Sequence, residues 1–440
     1  MAAVANLRRA LSLLWAIIGP AFHIGTSSAA RFHVDDDSAQ NIESMDCGIE
    51  GSTLRLGEPL NPGRRGAGLH VMDNDSRTIL AIGTKKGLWL AESTDREAWT
   101  LTGPHFANLE VPSVAIDTRE GRTRILAGIN DWHWGPTVVY SDDAGATWSE
   151  PESGAIKFPA DTDTALERIW HLRPDTEERA GVVWAGCEPI SVFKSTDSGE
   201  NFELNRGLWD HPHRSEWGAG FGGAAVHSIV PNAADQNVVH AAMSTGGVYR
   251  STDAGASWEP RNKGIHVDFA PDPFPEFGQC VHHITADAQN PDRLYAQNHG
   301  GVYRTDDAGD QWNSIAEGLP ADFGFVLLSH PRTGGTVWTI PLKAAEERNP
   351  VGGRLSVYRS TDAGENWIEQ HAGLPDADWN AVLRDAAAVD EHPETVGVYF
   401  GTRGGEVFAS NDEGAHFVTV AQRLPDVLSV RAAQANGART

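Results

Sequence analysis

Residues 77 to 433 are punctuated by short β-like segments, rich in Val, Ile, Leu and Tyr, with glycine-bearing turns between them. Gly247-Val248-Tyr249-Arg250 is one such segment, Arg293-Leu294-Tyr295-Ala296 a second, and Val226 to Val230 a third. Segments of the first kind run directly into the same polar string, S/T-x-D-x-G-x-x-W/F. The string begins at Ser141, Ser195, Ser251, Thr305, Ser360 and Ser410, with Trp148, Phe202, Trp258, Trp312, Trp367 and Phe417 as its aromatics. A shortened copy runs from Ser93-Thr94-Asp95 to Trp99. The aspartates at 95, 143, 197, 253, 307, 362 and 412 are spaced 48, 54, 56, 54, 55 and 50 residues apart.

A repeat of about fifty residues holding four short strands reads as one blade of a β-propeller. Seven copies predict an all-β, single seven-bladed β-propeller with four-stranded blades over residues 77–433. Within each copy the Asp carboxylate and Ser hydroxyl suit the backbone of a tight turn. Gly accepts the dihedrals a side chain would forbid, and the aromatic is expected to bury itself between blades. The seven aspartates are therefore structural. The first blade lacks an obvious innermost strand, whereas Leu424 to Val430 resembles an innermost strand without a blade. A C-terminal strand completing the first blade would close the ring and remove exposed sheet edges.

Composition narrows the function. Lys plus Arg is 35 and Asp plus Glu is 60, a formal charge of −25. Nucleic-acid binders present a basic face, and the densest basic clusters here are the pairs Arg64-Arg65 and Lys85-Lys86. No nucleic-acid partner is expected. The 46 Gly match the many turns, and the 15 Trp supply core. Cys47, Cys187 and Cys280 match no zinc spacing and read as buried free thiols.

Arg8-Arg9, the apolar run Ala10 to Ile18, and Ser28-Ala29-Ala30 make residues 1–34 resemble a leader segment. Gly19-Pro20 interrupts the run, so no membrane span is expected in the mature domain. Exported and cytoplasmic locations both stay open. Residues 35–76 read as a linker or irregular extension, and residues 434–440 as a disordered tail. The chain is expected to be a monomer.

The boxes resemble the Asp-box (BNR) repeats of sialidases, xyloglucanases, sortilin-type receptors and photosystem assembly factors, over roughly residues 77 to 433. That resemblance implies a fold and leaves function to the site. Sialidases are similar to one another in an arginine triad, a Tyr–Glu nucleophile pair and an Asp acid/base. Their Phe-Arg-Ile-Pro element is absent here. All six tyrosines fall in repeat slots: Tyr140, Tyr249, Tyr303 and Tyr358 before the box, Tyr295 and Tyr399 in second strands. Sialidase propellers also have six blades, so true sialidase activity is not expected.

Subtracting the repeat leaves an uneven residue on the face opposite the boxes. It includes Trp132-His133-Trp134, Glu188, the loop from Trp209 to Gly223, Glu276, His299 and Arg403. The innermost strands add His171, His227, His282-His283 and Arg384-Asp385, with Trp170, His227, His282 and Asp385 expected at about one height. Convergent His, carboxylate, aromatic and Arg side chains at a channel mouth describe a small-ligand site. The catalytic candidates are His227, His282, Asp385 and Glu188. The substrate-binding candidates are Trp132, His133, Trp134, His299, Glu276, Arg384 and Arg403. Two readings stay open: a divalent metal held by His227, His282, His283 and Asp385, or metal-free acid/base work by His with a carboxylate orienting it. The expected activity is hydrolase or lyase chemistry on a carbohydrate or other polar small molecule. A non-catalytic binding or assembly propeller is the alternative. Paired glycines at 222–223, 246–247, 300–301 and 404–405 open no helix, so they read as hairpin turns between second and third strands.

Overall fold

A computed structural model describes residues 77–435, apart from 152–153, 221 and 345. The expected leader 1–34, linker 35–76 and Cys47 lie outside the described residues. The described chain is all-β, and its strands pair into six sheets.

One sheet shows the rule that the others follow. Val226–Pro231, Val239–Met243, Gly247–Ser251 and Glu259–Pro260 pair in sequence order, each antiparallel to the last. Such a meander needs only tight turns, which the glycine-rich breaks provide. Two further sheets have the same four strands, starting at Arg168–Pro174 and Val281–Ala286. The sheet starting at Glu110–Asp117 has three, its outer edge reduced to a bridge between Tyr140 and Ser149. The sheet starting at Gly324–Ser329 has five, because Asn349–Pro350 attaches to Val337–Lys343. These two depart from the expected four strands.

An eight-stranded sheet joins the two ends of the described chain. Arg77–Thr84 pairs antiparallel with Val427–Ala435, which is the expected closing strand. That strand runs to Ala435, and Gln434 Nε2 donates to Thr78 Oγ1 at 2.8 Å. The expected boundary at 433 is therefore two residues short, and the expected tail 434–440 begins inside a strand.

Seven strands touch one another in turn, two from the eight-stranded sheet and one from each of the other five. The order runs Val427–Ala435, Glu110–Asp117, Arg168–Pro174, Val226–Pro231, Val281–Ala286, Gly324–Ser329, Val382–Val389, and returns to the start. This cyclic order is the arrangement of a β-propeller, with its first strands lining a channel. The core lies between neighbouring sheets. Trp184 and Val192 of one sheet, for example, cluster with Ile229, Val239 and Tyr249 of the next.

The repeated polar string builds one turn in every copy. In all six full copies the Ser or Thr hydroxyl donates to the Asp carboxylate at 2.6–2.8 Å. The Gly N–H donates to that hydroxyl at 2.8–3.0 Å. The Gly and the residue before it both have positive φ, for example Ala254 at 59° and Gly255 at 95°. These carboxylates are occupied: the Thr147 hydroxyl and N–H hold Asp143 down at about 2. Trp258, Trp312, Phe202 and Phe417 are buried as expected. Among the described residues, no helix is long and apolar enough to cross a membrane.

Candidate functional site

The site depends on a recurrent irregularity. Strand pairing normally sends successive side chains to opposite faces. In five inner strands the register slips, between Ile169 and His171, Val226 and Ser228, Val281 and His283, Gly324 and Leu327, and Val382 and Ala387. Such bulges re-aim side chains and are common beside functional sites. Trp170, His227, His282, Phe325 and Arg384 all sit at these slips.

Their side chains form a closed circuit. Ring centroids are 5.5 Å apart for Trp170 and His227, 6.5 Å for His227 and His282, and 4.8 Å for His282 and Phe325. The Arg384 guanidinium lies 5.0 Å from the Phe325 ring and 5.2 Å from Trp170, completing the circle. His227, His282, Phe325 and Arg384 line a cavity of about 680 Å³, within the usual range for small-molecule sites. Asp268, Asp322 and Glu346 contribute carboxylates to the same cavity.

Hydrogen bonds place a proton on Nδ1 of both imidazoles. His227 Nδ1 lies 2.9 Å from the Val281 carbonyl and His282 Nδ1 lies 2.7 Å from the Gly324 carbonyl, so each Nδ1 carries the proton. The lone pair is then on Nε2. In His227 it accepts from Ser244 Oγ at 2.9 Å. Burial pushes both rings well below the ordinary histidine value, and the Arg384 cation adds to the shift.

Arg384 is unusual. Its guanidinium stacks on two aromatic faces, which are favourable for a cation. Among the described residues it forms no ion pair, and its buried Nε has no hydrogen-bond partner. Burial lowers its pKa to about 10, with Cys280 and Asp385 pulling the other way.

One residue along, Asp385 belongs to a different tier. Its Oδ1 meets His171 Nδ1 at 3.1 Å and Arg431 Nη2 at 2.8 Å. Burial works to raise the Asp385 pKa, yet Arg431 and His171 hold it well below the usual carboxylate range. His283 is electrostatically coupled to this tier: burial pushes it down to about 3 against the pull of Asp385.

The structure thus brings together His227, His282, Arg384 and His299 around the cavity. It corrects the expected single height, where Arg384 replaces Asp385. It also disperses the expected metal set. Both His227 nitrogens are engaged, Asp385 is held between His171 and Arg431, and His283 sits with Asp385 while His282 faces the cavity. The group that does converge is Cys280, His282 and His299, whose donor atoms all lie within 4.8 Å of one another.

Other expected residues sit elsewhere. Glu188 Oε2 accepts from Trp170 Nε1 at 2.8 Å, which steadies the ring. Arg403 pairs with Asp426 at 2.9 Å and does not line the cavity. Glu276 is exposed and likewise outside it. Trp132 and Trp134 are 83% and 84% exposed, too open to line a pocket. With His133 they crown a turn that Asp131 holds through two backbone N–H groups. Gly222 and Gly223 lie in the loop before Val226–Pro231, not in a second-to-third-strand hairpin, and Gly222 lines the cavity. Trp209, expected in an open loop, is buried against Phe158. No tyrosine lines the cavity.

Sequence reasoning missed Cys280, read as an inert thiol, and Ser244. A signal for the first was present. Val281 pairs with Asn298, so Cys280 faces His299 across the strands, and the His299 N–H donates to the Cys280 carbonyl at 3.0 Å.

No protein-family model matches the chain, and no curated protein matches it. Solved structures resemble it at low identity. A GH74 enzyme from Niastella koreensis is 12% identical, with a TM-score of 0.46, covering 83% of this chain and 67% of its own. YCF48 bound to D1 peptide is 14% identical, with a TM-score of 0.40, covering 67% and 77%. YCF48 from Cyanidioschyzon merolae is 12% identical, with a TM-score of 0.41, covering 72% and 87%.

Proposed function

We propose that residues 77–435 form a seven-bladed Asp-box propeller whose channel mouth binds and turns over a polar small molecule bearing an anionic group. A carbohydrate or related compound fits best, by hydrolase or lyase chemistry. The count of seven treats the eight-stranded sheet as two blades. One residue pair, Asp385 with Ser429, is all that joins its halves through a parallel bridge.

The observation that carries the functional reading is Arg384: a guanidinium stacked between two rings at a cavity wall, with no carboxylate partner among the described residues. A half-buried charge whose Nε is sealed from solvent and which has no counter-charge is costly. A ligand anion would supply that counter-charge, and the planar fork of arginine matches a carboxylate in two parallel hydrogen bonds. Arg348 also lines the cavity, and Asp322, Glu346 and Asp268 bring carboxylates for ligand hydroxyls, Asp268 with one oxygen already 3.0 Å from His266 Nδ1. Beside the anion, neutral His282 presents a lone pair that can accept a proton or bind an ion.

The test is a calorimetric and product screen of carboxylated against neutral saccharides, on wild type and on Arg384→Gln. Acidic ligands are expected to bind wild type and to lose at least tenfold in affinity in the variant. Equal binding of acidic ligands by both proteins would remove the anionic-ligand reading. Tight binding without any product would favour the non-catalytic alternative.

A further inference from the structure

We infer that Cys280, His282 and His299 form a three-ligand site for a soft divalent metal ion, zinc first, on one wall of the cavity. The inference stands apart from the proposed turnover, because it concerns what this hairpin binds whether or not a substrate reacts.

The hairpin geometry comes first. Val281–Ala286 and Leu294–Asn298 are adjacent antiparallel strands, and Cys280 and His299 flank them as a facing pair. His282 is two residues from Cys280, a spacing that ordinarily keeps both side chains on one face. The register slip between Val281 and His283 then leaves His282 outside the ladder, free to be re-aimed. Three donor atoms consequently lie within 4.8 Å of one another, while the sequence shows only a Cys-x-His and a distant His.

The donors are also prepared. Metal-binding histidines typically donate their second N–H to a carbonyl or carboxylate, which fixes the ring and its tautomer. His282 does so through Nδ1 to the Gly324 carbonyl at 2.7 Å, leaving Nε2 as the ligand atom. Burial pushes the Cys280 thiol up, with the Arg384 cation and a backbone hydrogen bond from Thr245 pulling the other way, so metal binding would release its proton. One sulfur and two imidazole nitrogens select zinc or copper over magnesium or calcium. All three residues also line the cavity, so a fourth position would face open space, as in zinc sites that act on ligands. His227 does not belong to this set, since Val281 and Ser244 occupy both its nitrogens.

The test uses the full chain, reduced, free of any affinity tag, and loaded with zinc or cobalt(II). Elemental analysis is expected to find one ion per chain. The cobalt form is expected to show a thiolate-to-cobalt charge-transfer band. Cys280→Ser should abolish that band and weaken zinc binding at least tenfold in a chelator competition. His299→Ala, at a half-buried position, should weaken zinc binding comparably, with the circular dichroism of both variants unchanged. Wild type without bound metal, a cobalt complex without the thiolate band, or variants binding as wild type would each overturn the inference. If one variant fails to fold, the cobalt spectrum of wild type decides alone.

Discussion

Arg384 and Asp385 are neighbours in sequence and opposites in circumstance. Asp385 is buried with two partners, Arg431 and His171, and closes a network. Arg384 stacks on two rings and pairs with nothing among the described residues. From the sequence alone the pair reads as one ionic feature of one strand. In the structure the slip in Val382–Val389 sends the two residues to separate tiers of the channel wall. A buried carboxylate that meets its counter-charges points to architecture, and a cation at a cavity wall without one points to a ligand.

The comparison can be broken most directly at Asp385. Asp385→Ala strands Arg431 and His171 without their carboxylate, and removal of one partner from a buried pair costs about 3–5 kcal/mol. Chemical denaturation should show a loss of that order, and a loss below about 1 kcal/mol would move Asp385 to the functional side. Acid offers a second route. His227, His282, His240 and His171 all have native pKa values pushed down by burial, His240 to about 4. Below about pH 6.5 the unfolded chain therefore binds protons that the native chain refuses. Stability should be complete above that value and fall as pH drops towards 4, at up to about 1.4 kcal/mol per pH unit for each such histidine. A melting temperature flat from pH 7.5 to 5 would contradict their burial.

The repeated turn supplies the third case. Ser251→Ala removes the hydroxyl that joins Asp253 to the Gly255 N–H, leaving a buried donor without a partner. The cost should be about 1–2 kcal/mol, with ligand binding untouched. Least of all should be the effect of Arg384→Gln on stability. Deleting a charge that lacks a partner should leave the melting temperature equal or higher, within about 0.5 kcal/mol. A loss matching that of Asp385→Ala would show that Arg384 has a structural partner after all.

These contrasts also explain what the sequence could reveal. The repeat announces itself because each turn needs Ser, Asp and Gly at fixed offsets, whichever blade it closes. Closure by a C-terminal strand, expected at 424–430 and found at 427–435, was legible for a similar reason: one unit lacked a strand and another segment had no unit. The channel wall obeys no such rule. Its side chains come from five strands, and a one-residue slip decides whether His282 or His283 faces the cavity. Period-two alternation fails at those slips, so Asp385 was placed where Arg384 stands. Arg403 misled because a loop arginine looks free until Asp426 is seen beside it. Cys280 was passed over because its partner, His299, is near in space through strand pairing and not through spacing.

The pairing of Arg77–Thr84 with Val427–Ala435 has a temporal side. During synthesis the opening blade leaves the ribosome with its inner edge bare, and the strand that covers it is translated after every other blade. Domains generally fold as their N-terminal parts emerge, but here the earliest part waits for the latest. The unpaired edge is a template for other chains for as long as that wait lasts. The last-made strand of the ring thus guards the solubility of its first-made sheet.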